Sequence, residues 1–358
     1  MIVLFEGSTL LSPPMPSAMA PALPVQTAVR PPETIVGGMR KLLILILTSA
    51  LTAFCMATPA AAAISCTISM TNVAFGSIDV LPGSAVDTTA TATITCSGAT
   101  ANTTYRFCTD IRSGGDASGN QRRMASGANR LNFDLYKDAA RTQQWGNYTN
   151  NFLGGGSQND FTSNGSGNIS ASITLYARVP GSQQTAIPGS YSESMSGAAS
   201  NDLQYGALAS AGSCPIGGST RNYSFTVTAT VVTTCNVSAT THDFGSRGVL
   251  SSNVDATSTL TTTCTSTTPY NIGLNAGTGS GATVTTRKMT SGGGATINYS
   301  LYTNSARTTV WGNTVGTNTV PGTGSGVGQN STVFGRVPAQ TTPAPSTYTD
   351  TIVTTITY

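Results

Sequence analysis

Tyr348-Thr-Asp-Thr-Ile-Val-Thr-Thr-Ile-Thr-Tyr358 is the stretch on which the reading of this chain turns. Most of its residues are β-branched or aromatic. Tyr348, Asp350, Ile352, Thr354, Ile356 and Tyr358 share one parity, the two-residue period of a strand with one face on a core. The sequence stops on this strand, with no turn and no partner strand behind it. Such a strand leaves a row of unpaired backbone groups, so it either tolerates a sticky edge or has that edge covered by another chain. The second is the expectation here, with Tyr348, Ile352, Val353, Ile356 and Tyr358 along the edge to be covered.

Composition agrees with a chain made of many such strands. Only 9% of the 358 residues are charged, and glycine supplies 39 of them. A disordered chain would carry more charge, and a helical one more Leu, Glu and Lys. Short strands joined by Gly, Ser and Asn turns fit instead, which makes the fold all-β. The net charge of +3 is small and its arginines are scattered, so no nucleic-acid partner is expected.

The amino terminus reads as an address. Met1–Gly38 is Pro-rich and aperiodic. Met39-Arg40-Lys41 then opens a positive segment, Leu42 to Met56 is apolar, and small residues lead to Ala63. This is the pattern of a secretory signal cleaved after Ala63, with Met39 as the true start. Residues 1–63 are accordingly placed outside the folded protein. Cys55 falls within them, and Cys66, Cys96, Cys108, Cys214, Cys235 and Cys264 remain. An even number in an exported chain points to disulfides in an oxidising compartment. A metal site is not expected, since there is no CxxC pair and His242 is the only histidine.

Compared with itself, the chain is one unit written twice. Cys66-Thr-Ile-Ser with Phe75-Gly76 recurs as Cys235-Asn-Val-Ser with Phe244-Gly245. Thr93-Ile-Thr-Cys96 returns as Thr261-Thr-Thr-Cys264, Arg123-Met124 as Lys288-Met289, and Leu135-Tyr136 as Leu301-Tyr302. Trp145-Gly146-Asn147 matches Trp311-Gly312-Asn313, and Tyr176-Ala-Arg178-Val179-Pro180 matches Phe334-Gly-Arg336-Val337-Pro338. Two homologous domains follow, 64–232 and 233–358. Cys66–Cys96 and Cys235–Cys264 should each tie a first strand to its neighbour, leaving Cys108–Cys214, which has no counterpart in the second copy. Trp145, Trp311, Arg178 and Arg336 read as framework, because both copies keep them.

The ordered set Cys, Phe-Gly, Cys, Leu-Tyr, Trp-Gly-Asn and Arg-Val-Pro, closing on Tyr348-x-Asp350-x-Ile352, resembles the spore coat protein U domain family, which includes subunits of archaic chaperone–usher pili. The resemblance covers 64–358, twice. It implies two tandem immunoglobulin-like, pilin-type β-sandwiches, the C-terminal one lacking its last strand. It also implies the partners: a periplasmic pilus chaperone that lends a strand, an outer-membrane usher, and the N-terminal donor strand of the next pilin subunit. The route would run through the periplasm to the cell surface.

Two features bear on position in such a fibre. With cleavage after Ala63 only Ile64 and Ser65 precede Cys66, whereas a donor strand needs roughly ten residues at about 3.3 Å each. The expectation is therefore a subunit that accepts but does not donate, at the distal tip. The first copy also continues past Tyr191-Ser-Glu-Ser-Met195 to Tyr223–Val232, whose odd positions are all apolar. This segment either fills the first copy's groove in cis or is its ordinary last strand after a loop insertion.

If the first copy is the tip, contact with an abiotic or host surface should use segments that the second copy lacks. Phe152 and Leu153 beside glycines, and Leu203, Tyr205 and Leu208 in the insertion closed by Cys214, are the candidates. A polar sugar pocket of Arg112, Asp116, Asn120 and Arg122 is the other possibility. Catalysis is not expected. His242 is the single candidate base and reads as a surface turn residue, no phosphate-binding Gly-x-x-x-x-Gly-Lys loop occurs, and no cofactor is implied. The competing reading is a secreted spore-coat or extracellular-matrix structural protein with no pilus.

Overall fold

Threonine alternating with small or apolar residues becomes strand wherever one face can be covered. Within Val86–Ser97, Ala90, Ala92, Ile94 and Cys96 turn inward while the intervening threonines lie on the outer face. The computed structural model describes residues 1–10, 63–148, 153–196, 201–216 and 219–358. The signal segment and Phe152 lie outside these residues. Every regular element among them is a strand.

The first, β1, is Ile2–Leu10. The N-terminal copy holds β2 (Ser65–Met70), β3 (Val73–Ile78), β4 (Val86–Ser97), β5 (Thr104–Thr109), β6 (Arg122–Ser126) and β7 (Asn129–Tyr136). It continues with β8 (Ser157–Thr162), β9 (Ile169–Val179), β10 (Gly189–Met195), β11 (Asp202–Ala207), β12 (Ser219–Asn222) and β13 (Phe225–Val231). The C-terminal copy holds β14 (Cys235–Ala239), β15 (His242–Asp243), β16 (Val254–Cys264), β17 (Pro269–Leu274) and β18 (Arg287–Ser291). It ends with β19 (Thr296–Tyr302), β20 (Val320–Thr323), β21 (Gln329–Val337) and β22 (Tyr348–Thr357).

The two copies share one sheet path. In the first it runs β2-β4-β9-β7-β6-β10-β13-β3, and in the second β14-β16-β21-β19-β18-β22-β1-β15. Each path curls around its own apolar cluster, and the two clusters have no residue in common. The architecture is that of immunoglobulin-like sandwiches. Two substitutions of role separate the copies. β1 stands in the second where β13 stands in the first. And β22 does alone what β10 and β11 do together: it pairs with β18 at Tyr348 and Thr349 and with β17 at Thr354–Thr357, whereas β10 pairs with β6 and β11 with β5.

The sulfurs fasten equivalent places. Cys66 lies opposite Cys96 in the β2–β4 ladder and Cys235 opposite Cys264 in β14–β16, and both pairs are disulfides. On the chain-entropy model loops of this length stabilise by about 3–4 kcal/mol each. The third disulfide, Cys108–Cys214, clamps β5 of the first copy to the segment between β11 and β12.

Candidate functional site

The C-terminal strand sits where its alternation predicts. Tyr348, Asp350, Ile352, Thr354 and Ile356 face the core, and Ile352 and Ile356 are fully buried. Val353, on the other face, is half-buried, and Tyr358 packs at the margin of the apolar cluster. One backbone edge of β22 is bonded to β17 and β18. The other is bonded along its whole length to β1, in parallel, with Ile2 opposite Thr349, Phe5 opposite Ile352 and Leu10 opposite Thr357. The far edge of β1 meets β15, where Val3 faces His242, and Phe244 N donates to Met1 O at 3.1 Å.

The site is thus a slot between β22 and β15, one strand wide, whose occupant comes from outside the C-terminal copy. Val3 is fully buried, Met1 and Phe5 pack against the core, and Leu4 between them is exposed. The slot therefore takes apolar side chains at alternate positions and leaves the others to solvent. Residues 1–63 were read as lying outside the fold, yet Ile2–Leu10 forms a strand here. An apolar run, Ile2-Val3-Leu4-Phe5, meets a sheet edge that no other described strand covers.

In the N-terminal copy the same slot, between β10 and β3, is filled in cis. β13 pairs antiparallel with β10, from Gly189 opposite Val231 to Met195 opposite Phe225, and parallel with β3 on its other side. Phe225, Val227, Ala229 and Val231 are all buried.

The walls of the slot are braced by polar groups buried among carbonyls. Arg287, fully buried, donates to Leu274 O, Asn275 O, Val284 O and Trp311 O at 2.7–3.0 Å. Its counterpart Arg122 donates to Ile111 O, Arg112 O and Trp145 O at 2.8–3.1 Å. Burial pulls both guanidinium groups down to about 10, still charged at neutral pH. Trp145 and Trp311 are core residues whose Nε1 atoms donate to Thr109 O and Ile272 O, each at 2.9 Å. Asp350, on β22, accepts from Thr278 N and Oγ1, Thr351 N and Tyr299 Oη at 2.7–2.8 Å, so its buried oxygens have their hydrogen bonds.

His242 differs from its expected place. It is fully buried on β15, with Nδ1 2.8 Å from Ser258 Oγ and its ring edge-on to Phe244. Its neighbours in the fold explain this, since Val73 is buried at the matching place on β3. Burial, and then Arg307, depress its pKa to about 4, which keeps it neutral.

The proposed contact loops also differ. Leu203 and Tyr205 are two residues apart on β11 and both point into the core, where Tyr205 stacks near Phe107 and its hydroxyl accepts from Cys66 N. Leu153 is buried at a positive φ, and Leu208 is half-buried. The insertion is thus sheet with an inward face, so these side chains do not form an apolar tip. Nor do Arg112, Asp116, Asn120 and Arg122 converge: Arg122 is a buried brace, Arg112 bonds Ser196 O, and Asp116 pairs with Arg130 at 2.6 Å. The identical residues Arg122 and Arg287, each directly before a matched pair, were the sequence signal for the brace.

Comparison with known proteins identifies the repeat. A family model described as Spore Coat Protein U domain matches residues 51–197 and again 221–355. No curated protein matches. Among solved structures the chain is similar to the CsuC-CsuE chaperone–tip adhesion subunit pre-assembly complex from archaic chaperone-usher Csu pili of Acinetobacter baumannii. That likeness has 19% identity, covers 82% of this chain and 100% of that one, and has a TM-score of 0.48. It is also similar to the CupB6 tip adhesin from Pseudomonas aeruginosa, at 10% identity over 82% of this chain and 97% of that one, with a TM-score of 0.31.

Proposed function

The chain belongs to the Spore Coat Protein U domain family, and from that premise we propose that it is a subunit of a chaperone–usher fibre whose C-terminal copy accepts a strand from a partner. A periplasmic chaperone fills the slot between β22 and β15 first, and the donor strand of the next subunit replaces it during assembly at an outer-membrane usher. The N-terminal copy, complete without a partner, then stands at the tip, where it contacts an abiotic or host surface and supports biofilm formation.

One observation carries this reading. The edge of β10 is closed by a strand of its own copy, while the edge of β22 is closed by a segment from beyond the other copy. Strand addition suits such an edge because main-chain hydrogen bonds give affinity and alternate pockets choose the side chains. Left empty, an edge of this length with apolar pockets beneath it is an aggregation site.

A photo-crosslinking residue tests the proposal in the exported protein, from which cleavage after Ala63 would take β1 and leave the β22 edge open. Placed at Thr351, on the outer face of β22 opposite Leu4, it should give an adduct with the periplasmic chaperone. Placed at Ser194, the matching position on β10, it should give none, since β13 covers that edge. Adducts at neither position would remove the fibre role and leave the coat or matrix reading.

A further inference from the structure

Asp110 and Asp202 face each other where β5 and β11 part. The ladder pairs Leu203 with Thr109, and one step further Asp110 N donates to Asp202 O at 2.9 Å. The C-terminal copy shows what this place needs structurally. The tryptophan bonds align Thr109 with Ile272, so Asp110 matches Gly273, which faces Thr355. A glycine and a threonine suffice there, so the two acids are a property of the N-terminal copy alone.

They are also an awkward pair. Asp110 is 1% exposed. Its Oδ1 accepts from Tyr148 N at 3.1 Å, but among the described residues Oδ2 has no donor, and neither has the buried Oδ1 of Asp202. The surrounding groups are engaged elsewhere. Arg106 is bidentate to Asp160, Lys137 bonds Gly156 O, Arg122 bonds the carbonyls of Ile111, Arg112 and Trp145, and Tyr223 Oη donates to Asp110 O. Two ionised carboxylates opposite one another across a ladder repel, and each is an acceptor only.

We propose that Asp110 and Asp202 share one proton, and that this proton fastens the β11–β12 hairpin to the sheet of the N-terminal copy. Asp110 Oδ2–H donates to Asp202 Oδ1, which satisfies both orphan oxygens with one bond and removes one of the two charges. A proton fits where a divalent ion does not, since an ion such as calcium takes about 6–8 oxygen ligands and these atoms are sealed from solvent. Burial first, and then Asp202, push Asp110 up to about 7, against 3.8 for the free side chain. The stability so contributed is full below the free value, falls as pH rises, and is gone above about 7.

Hydrogen–deuterium exchange of the full chain between pH 5 and 8 tests this. Between pH 5 and 7, opening that parts β11 from β5 releases one proton, so after correction for intrinsic exchange the opening constant of the β11 amides should rise about tenfold per pH unit and level off above about 7. In Asp110→Asn the amide donates without titrating, and the slope should vanish. In Asp202→Asn the buried Asp110 loses a facing charge and gains an amide donor, so the rise should level off at lower pH; this variant serves if the first folds poorly. An unchanged pH profile in either variant, or no slope in the wild type, would overturn the proposal. So would protection at pH 8 that millimolar calcium restores and a chelator removes, since the site would then hold a cation.

Discussion

β13 and β1 occupy the same place in the two sandwiches and reach it by different routes. β13 follows β12 after Tyr223 and Ser224, and runs antiparallel to β10. β1 lies a whole copy away in sequence from the sheet it joins, and runs parallel to β22. Yet both bury alternate apolar residues, Phe225, Val227, Ala229 and Val231 in one case and Val3 in the other. The slot is thus defined by its walls and its core-facing pockets, not by strand direction. What separates the copies is ownership. A slot filled by β13 is completed by its own copy, and a slot filled by β1 is completed by a segment distant in sequence.

The comparison can be broken most severely at its centre. Val227→Asp puts an unpaired carboxylate at a fully buried point of β13, which should cost at least about 4 kcal/mol, comparable with the whole stability of a small domain. Each copy has one tryptophan, so in Trp145→Phe and Trp311→Phe backgrounds denaturant titration reports on the copies separately. Val227→Asp should unfold the copy seen by Trp145 and spare the one seen by Trp311. In the uncleaved chain, which keeps β1, Val3→Asp should weaken only the latter, and a partner strand added in its place should restore it. If Val3→Asp also lowers the stability reported by Trp145, the two slots are not independent and the contrast fails.

A smaller effect sharpens the contrast through pH. His242 is neutral in the folded protein, with its pKa near 4 where the free side chain has 6.5. Its folded value is depressed, so the unfolded chain binds the proton first as pH falls. Stability is full above about 6.5, is lost progressively toward 4, and by then roughly 3 kcal/mol has gone. Val73 holds the corresponding place on β3, so the N-terminal copy lacks this term. His242→Val should flatten the acid limb of the stability curve read by Trp311 and leave the curve read by Trp145 unchanged.

Much of this was legible because the chain states its pattern twice. The repeat, the terminal strand and the apolar parity of Tyr223–Val232 are local or periodic, and a self-comparison recovers them. His242 was misread because the residues beside it make a turn, although its alignment with buried Val73 marks a core position. Leu203 and Tyr205 were misread as loop tips because the first copy's insertion has no counterpart to align, yet their spacing of two is that of a strand face. Arg122 and Arg287 bond carbonyls brought in from several strands, and that depends on the finished fold. The Asp110–Asp202 pairing lies further still from sequence, since only the β5–β11 register sets these acids opposite one another.

The smallest effect tests whether the shared framework is equally stiff in both copies. Arg178 is bidentate to Asp87 at 2.7 and 2.9 Å, and Arg336 to Asp255 at 2.7 and 2.8 Å. These hydrogen bonds hold both carboxyls below the ordinary aspartate range, the arginine bond being the largest cause in each case. The groups are about a third exposed, however, so water screens much of the attraction. A second cation also remains when either arginine is cut back, Arg141 3.2 Å from Asp87 and Arg307 3.1 Å from Asp255, each held near an aromatic ring. Arg178→Ala and Arg336→Ala should therefore each cost only about 0.5–1 kcal/mol by denaturant midpoint, and by the same amount. The pairs join β4 to β9 and β16 to β21, which hold corresponding places in the two paths. A markedly larger loss at Arg336 would mean that the slot's occupant bears on the whole C-terminal sheet, and that filling it changes more than one edge.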